Sequence, residues 1–426
     1  MGVVKYRELL KRHSVLFENF TYISILQIFV MLAPLITYPY LVRVLGSDLY
    51  GWVITAQIVA SYCSILVDFG FKRVSARHIS VFRDNKEKLS EIMSTILTLQ
   101  AILWLFCLGI YIIVIGLIPA YRQHFWLFVF SFGLTFNELL FPQYFFQGIE
   151  KMKYITIVNI VIRSIFIVLI FLCITTTEDY VYVPLLFTVG YFIGGILALY
   201  VVFVREKIVF RLPSYANMKY YLKDASPIFF TDVICTIKDK LNYILLGSWV
   251  GMSDVVVYDL GSKFMNVILK PAGIVGTVLF PKIAKERNVL LFRKTVLVLF
   301  ACTLGLVIVL NLFLPQVVHF FIDEEIDLLP IRLYLLAPVI VGVSSFISSN
   351  LMVALGYTKY VLYSIIVTTA VYLSLLAGMY FMDYLTSVTS FVLLTVASYL
   401  GELIYRLRIM FKIERLERIQ QCLVSG

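Results

Sequence analysis

Charge is scarce in this chain: Asp, Glu, Lys and Arg supply 15% of its 426 residues. A solvated globular surface carries roughly a quarter charged residues, so an ordinary soluble domain is excluded. Polar stretches are equally short. The longest, 72–89, 205–220 and 282–294, are each too small to fold alone. There is no low-complexity tract. The four histidines (13, 78, 124, 319) are scattered near the ends of apolar runs. The six cysteines (63, 107, 173, 235, 302, 422) form no CxxC pair, which argues against a disulfide framework or a metal site and for small apolar filler. No GxxxxGK[ST] loop, HExxH or GxSxG occurs, so P-loop ATP hydrolysis and the familiar hydrolase chemistries have no residues to run on.

What fills the chain is apolar sequence. Hydrophobic residues make up 61% of it, and mean hydropathy is +0.92. Twelve runs are each long enough to cross a bilayer core, which takes about 20 residues of helix. The first half holds 19–42, 50–71, 90–117, 124–149, 154–175 and 180–204. The second holds 221–249, 254–281, 293–321, 330–355, 359–381 and 386–405. These runs are too long and continuous for barrel strands. The expected fold is therefore an all-α polytopic membrane protein with 12 transmembrane helices. Expected segments are a cytoplasmic N-terminal stretch 1–18, an N-lobe 19–204, a linker 205–220, a C-lobe 221–405 and a cytoplasmic tail 406–426. Residues 1–18 are too charged, and lack the small-residue site, expected of a cleavable signal.

Formal net charge is +10. Its placement speaks for a membrane and against nucleic acid. The N-terminus and every second loop carry nearly all the basic residues, including Lys72, Arg73, Arg77, Arg205, Lys207, Lys282, Lys285, Arg406 and Arg408. The other loops hold Arg43, Arg122 and Arg332, alongside the acidic Glu178, Asp179, Asp323, Glu324, Glu325 and Asp327. This is a positive-inside pattern, and it puts both termini in the cytoplasm, as an even number of spans requires.

The halves resemble each other weakly. Leu45-Gly46-Ser47 is matched by Leu246-Gly247-Ser248, and Gln147-Gly148 before Lys153-Tyr154-Ile155 by Leu355-Gly356 before Lys359-Tyr360-Val361. The matches lie roughly 200 residues apart, at equivalent places in two six-span halves related by a parallel pseudo-two-fold along the membrane normal. Two such lobes suit a transporter that rocks around a central cavity.

Ionisable residues inside spans are costly and normally face protein or water. Arg163 lies in span 5, Glu138 in span 4, Asp232, Lys238, Asp239 and Lys240 in span 7, and Asp259, Lys263 and Lys270 in span 8. Asp232 and Asp239 share a helix face, as do Lys263 and Lys270. Asp259 and Lys263 can pair at i,i+4. Spans 7 and 8 thus read as walls of a polar lumen. Arg163, Lys238, Lys270, Lys263 and Arg43 are candidates for an anionic headgroup such as a diphosphate. Asp232, Asp239, Asp259 and Glu138 can carry a coupling H+ or Na+. No other cofactor and no metal is expected. Pro34, Pro39 and Pro271 are candidate gating kinks.

Three segments carry a family resemblance. The first is Pro34-Leu35-Ile36-Thr37-Tyr38-Pro39-Tyr40-Leu41-Val42-Arg43-Val44-Leu45-Gly46 with Tyr50-Gly51; the second is Asp68-Phe69-Gly70-Phe71 with Ser75 and Arg77. The third is Phe146-Gln147-Gly148-Ile149-Glu150-Lys151-Met152. In this order and spacing they resemble Wzx-type O-antigen flippases of the multidrug/oligosaccharidyl-lipid/polysaccharide exporter superfamily. The resemblance is clear over about 19–160. It implies a MATE/MurJ-like V-shaped bundle working by alternating access. It also implies a substrate: an undecaprenyl-pyrophosphate-linked oligosaccharide, moved from the cytoplasmic to the periplasmic leaflet of a bacterial inner membrane. A polysaccharide polymerase and a chain-length regulator are the implied partners, with membrane lipids around the chain. Arg43 is then expected at the periplasmic mouth, with Asp68 and Arg77 fixing the cytoplasmic end of span 2. Span 7 is more charged than the resemblance leads one to expect. Two alternatives stand beside this one: a cation-coupled multidrug exporter of the same superfamily, and a membrane-embedded polymerase, which would need a long periplasmic loop.

Overall fold

The computed structural model describes the backbone of residues 2–287 and 289–425, and side chains over 18–416 save Phe20, Val278, Pro281, Asn288 and Val289. The basic residues Lys5, Arg7, Lys11 and Arg12 of the N-terminal stretch and Arg418 of the C-terminal tail lie outside the described side chains, as do His13 and Cys422. Helices joined by short turns make up the described chain, with no strand among them. The protein is a multi-pass membrane protein of all-α class. Contacts divide it into two compact units, Met1–Ile237 and Lys238–Gly426.

The first unit begins with α1 (Gly2–Asp68), one continuous run except at Gly46, where φ 78 and ψ 160 break the helix. Two expected spans lie either side of that break. Pro34 and Pro39 lie inside helical backbone, before that break. Then follow α2 (Phe71–Val81), α3 (Lys86–Leu117), α4 (Pro119–Gln123), α5 (Phe125–Phe132), α6 (Phe136–Leu140), α7 (Gln143–Gly148), α8 (Met152–Cys173) and α9 (Val183–Tyr200). The helix α10 (Tyr215–Trp249) supplies its first part to this unit and its last part to the next. Asn85 caps α3 by accepting from the amides of Glu87 and Lys88, both at 3.1 Å. Phe71, Ile79, Met93, Phe141, Phe145 and Phe146 form the core where α2, α3, α6 and α7 meet. Large apolar side chains such as Leu105, Phe106, Ile113 and Leu172 point outward, as a lipid-facing surface requires.

The second unit continues with α11 (Met252–Glu286), α12 (Val289–Leu312), α13 (Leu314–Phe321), α14 (Leu329–Tyr334), α15 (Ala337–Ile347), α16 (Thr358–Phe381) and α17 (Val388–Ser425). A π-helical turn, Ser348–Val353, follows α15 directly. Phe292, Phe346, Ile347, Leu351 and Ile413 form its core. Pro271 lies within α11.

Nine stretches of the described residues are long and apolar enough to cross a membrane. The first, Thr21–Val81, holds both spans that flank Gly46. The 35-residue helices α10 and α11 are also long enough to cross a membrane; in α10 the apolar run is interrupted by Asp232, Lys238, Asp239 and Lys240, and neither is among the nine. An exact count of twelve thus depends on whether α10 and α11 are counted.

The internal repeat is visible at one turn in each unit. The amide of Lys151 donates to Phe146 at 2.9 Å and that of Tyr357 to Met352 at 2.7 Å. One residue earlier, the amides of Glu150 and Gly356 donate to Gln147 and Val353, each at 3.1 Å. Both residues are left-handed, with φ 59 at Glu150 and φ 87 at Gly356. This register also aligns Lys153-Tyr154 with Lys359-Tyr360. It sets Gly356 opposite Glu150, correcting the sequence pairing with Gly148, which is helical. The other matched pair differs too: the chain breaks at Gly46 but runs helically through Gly247, with the helix ending at Trp249.

Candidate functional site

In the first unit the polar groups gather where α1 ends. The left-handed pair Phe69 and Gly70, at φ 47 and φ 77, turns the chain into α2. A Cβ on Gly70 would lie 3.0 Å from Ile228 and 3.2 Å from the Ala225 carbonyl, so α10 crosses at that point. Phe69 stacks on Phe229 at 4.2 Å. Beside this contact, Arg73 pairs with Asp232 at 2.5 Å. Asp224 accepts from Arg77 at 2.7 Å and faces His78 at 2.8 Å. Asp68 accepts from the Lys72 amide at 3.3 Å, and the Lys72 ammonium pairs with Glu138 of α6 at 2.6 Å. The motif residues Asp68, Gly70 and Arg77 therefore shape the junction of α2 with α6 and the first part of α10.

The third motif segment closes the same region. A Cβ on Gly148 would lie 3.0 Å from the Ala76 carbonyl, which packs α7 onto α2. Glu150 pairs with Arg83 at 3.3 Å, and its carbonyl accepts from Asn19 at 2.9 Å. Gln147 is exposed and acts through its carbonyl, in the turn described above. Arg163 of α8 is half-buried, with its Nε enclosed and without a hydrogen-bond partner. It lies within electrostatic range of the Tyr191 hydroxyl, as do Glu138 and Lys72. Arg43 is exposed on α1, before the break at Gly46.

In the second unit α10 and α11 bring a further set of charges together. Lys238 pairs with Asp239 at 3.1 Å and stands over the Tyr399 ring at 5.1 Å. One turn on, Asn242 donates to Tyr258 at 3.1 Å and to Thr395 at 2.8 Å, and accepts from Tyr372 at 2.6 Å. Asp259 is buried, pairs with Lys263, and accepts from Tyr243 at 3.3 Å. Asp259 and Lys263 thus form the pair that their i,i+4 spacing suggests. Lys270 is half-buried on the face of α11 that also carries Lys263 and Asn266.

That face ends at a cavity of about 260 Å³ between α11 and the α15/π-turn segment. Gly273, Gly276, Thr277 and Phe280 line it from α11, and Ser345, Phe346, Ser349 and Asn350 from the other side. At Gly276 a Cβ would lie 3.0 Å from the Asn350 amide nitrogen; at Gly273 a Cβ would meet nothing within 4 Å. Asn350 is 1% exposed and its Oδ1 has no hydrogen-bond partner. Sequence reasoning missed these residues and the Asn242 network. Glycine, serine and threonine in apolar runs read as helix packing, and the signal that could have marked them is their recurrence on the face that carries Lys270.

The charges expected to share one lumen fall into these groups. Asp232, Glu138 and Arg163 belong to the first unit, and Lys238, Asp239, Asp259, Lys263 and Lys270 to the second. Among the described residues no three His, Cys, Asp or Glu side chains converge on a metal position.

Residues 16–286 match the family described as "Polysaccharide biosynthesis protein". A putative O-antigen transporter of Escherichia coli K12 is 26% identical over 288 residues, covering 65% of this chain and 68% of that protein. Another, from Shigella dysenteriae, is 26% identical over 257 residues, covering 60% and 64%. Among solved structures, an inward-facing multidrug resistance MATE family transporter of the MOP superfamily superposes with a TM-score of 0.73 at 16% identity, covering 94% of this chain and 99% of that one. The lipid II flippase MurJ, in an inward closed conformation, superposes at 0.70 and 14% identity, covering 94% and 92%. At these identities the structural likeness establishes the fold.

Proposed function

The chain belongs to the polysaccharide biosynthesis protein family, and from that premise we propose that it is a flippase for lipid-linked oligosaccharides. The substrate in this reading is a repeat unit on undecaprenyl pyrophosphate, carried by alternating access from the cytoplasmic to the periplasmic leaflet of the inner membrane. Both termini face the cytoplasm. The family match carries the reading, because it covers the spans that hold the intramembrane cations. Burying a sugar headgroup in hydrocarbon costs roughly 2–7 kcal/mol for each unpaired hydroxyl, so the headgroup needs a polar path. Arg163, Lys238 and Lys270 are the groups proposed to meet the pyrophosphate. Asp239, half-exposed beside Lys238, is the acid best placed to exchange its lysine for a coupling H+ or Na+. A polymerase and a chain-length regulator would act on the delivered unit.

Gene deletion with complementation tests this. Surface polysaccharide and lipid-linked intermediates are followed after restoring wild type or Arg163→Ala. Wild type is expected to restore surface glycan and to clear units stranded in the cytoplasmic leaflet, whereas a well-expressed Arg163→Ala should fall short. Unchanged glycan with altered drug sensitivity would replace this reading with a multidrug exporter.

A further inference from the structure

We propose that the cavity between α11 and the π-helical turn after α15 is a subsite for one uncharged sugar ring of the transported glycan. This rests on the flippase reading above and names the part of the substrate that the site would take.

The lining carries no acid and no base. It offers instead the hydroxyls of Thr277, Ser345 and Ser349, the amide of Asn350 and the aromatic ring of Phe280. Hydroxyls and an amide beside an aromatic face match a pyranose, which has polar edges and an apolar face. At about 260 Å³ the space suits a single ring better than a whole repeat unit.

Two observations indicate a ligand rather than a packing gap. Asn350 is almost fully enclosed, yet its Oδ1 accepts no hydrogen bond. An unmade bond of this kind is costly in a folded protein, and a half-turn of the amide, which brings Oδ1 to the side of Gly276 where Nδ2 now lies, would let a sugar hydroxyl complete it. The backbone is also irregular at this position: Ser349 and Asn350 lie in the π-helical turn, where the Ala354 amide reaches back to Ser349 at 3.2 Å. Turns of this type cluster at functional sites.

The mouth of the cavity is polar as well. Gly273, Thr277, Ser345 and Ser349 are exposed, and the three hydroxyls, each donating to a carbonyl of its own helix, keep lone pairs free to accept from a sugar hydroxyl. Lys270 stands one turn before Gly273 on the same face. A pyrophosphate held near Lys270 would therefore leave its first sugars beside the cavity.

Binding by the full chain in lipid nanodiscs tests the proposal. The probes are undecaprenyl pyrophosphate carrying the producing organism's repeat unit, and undecaprenyl pyrophosphate alone. Gly273→Leu projects a side chain into open space and fills the cavity. It is expected to weaken the sugar-bearing lipid by about tenfold, the scale of one lost hydrogen bond or more, and to leave the bare lipid unchanged. Thr277→Val, which keeps the shape and removes one hydroxyl, should weaken only the sugar-bearing lipid, by about threefold. Wild-type affinity for the sugar-bearing lipid in both variants would overturn the subsite and leave the flippase reading standing. Equal weakening of both lipids would also overturn it, since the cavity would then act on the anchor or the fold. If the wild type binds neither lipid, the flippase reading itself fails and the subsite with it.

Discussion

Asn242 is the residue on which the second unit's buried polar network converges. It ties α10 to α11 through Tyr258, to α16 through Tyr372 and to α17 through Thr395. Removing one partner from a buried network strands the others at about 1–3 kcal/mol per group. Asn242→Ala is accordingly expected to lower the unfolding temperature of the purified protein by several degrees. Asn242→Asp, which keeps an acceptor for Tyr372, should lose less. Equal unfolding temperatures for all three proteins would show that the network adds nothing to stability. None of this was legible from the chain alone. Asn242, Tyr372 and Thr395 are far apart in sequence, and each lies in an apolar run where a lone polar residue has no visible partner. The pairing of Asp259 with Lys263 could be read, because helix geometry fixes both ends of it.

At the scale of the element, α2 and the first part of α10 form one docked pair. Gly70 allows the close approach, Phe69 stacks on Phe229, and Arg73 and Arg77 meet Asp232 and Asp224. Both arginines are largely exposed, so each ion pair contributes about 1 kcal/mol or less. Charge reversal in Arg73→Asp is expected to reduce transport in the complementation assay, and Arg73→Asp with Asp232→Arg to recover most of it. Failure of the double variant to improve on the single would show that the pair does not hold the docking. Most elements here were readable from unbroken apolar runs. What could not be read was that the acids of the first part of α10 pair with α2, because Arg73 and Arg77 lie 159 and 147 residues from Asp232 and Asp224. The repeat was readable in its letters and misaligned by a short step, because the turn is set by a left-handed residue that is Glu150 in one unit and Gly356 in the other.

For the whole molecule, the excess of basic residues on alternate loops is the strongest guide to orientation. A fluorescent protein fused after Gly426 is expected to fold and fluoresce, while alkaline phosphatase fused at the same position stays inactive. An active phosphatase there would reverse the assigned orientation. Sequence supports the class and the span-forming segments at this scale because lipid acts on whole runs of residues. It is silent on which small polar residues gather around a cavity, since that depends on how helices pack.

The π-helical turn at Ser348–Val353 has a consequence for inheritance. Such a turn accommodates one residue more than regular helix would. Deleting a single codon at its start would restore α-helix, leave the residues beyond the turn on their present faces, and re-aim those inside it. Asn350 and Ser349 would then leave the cavity together, without any substitution at the cavity wall. Descendants of this gene could therefore gain or lose the pocket through a change in length alone, which a comparison scoring only substitutions would pass over.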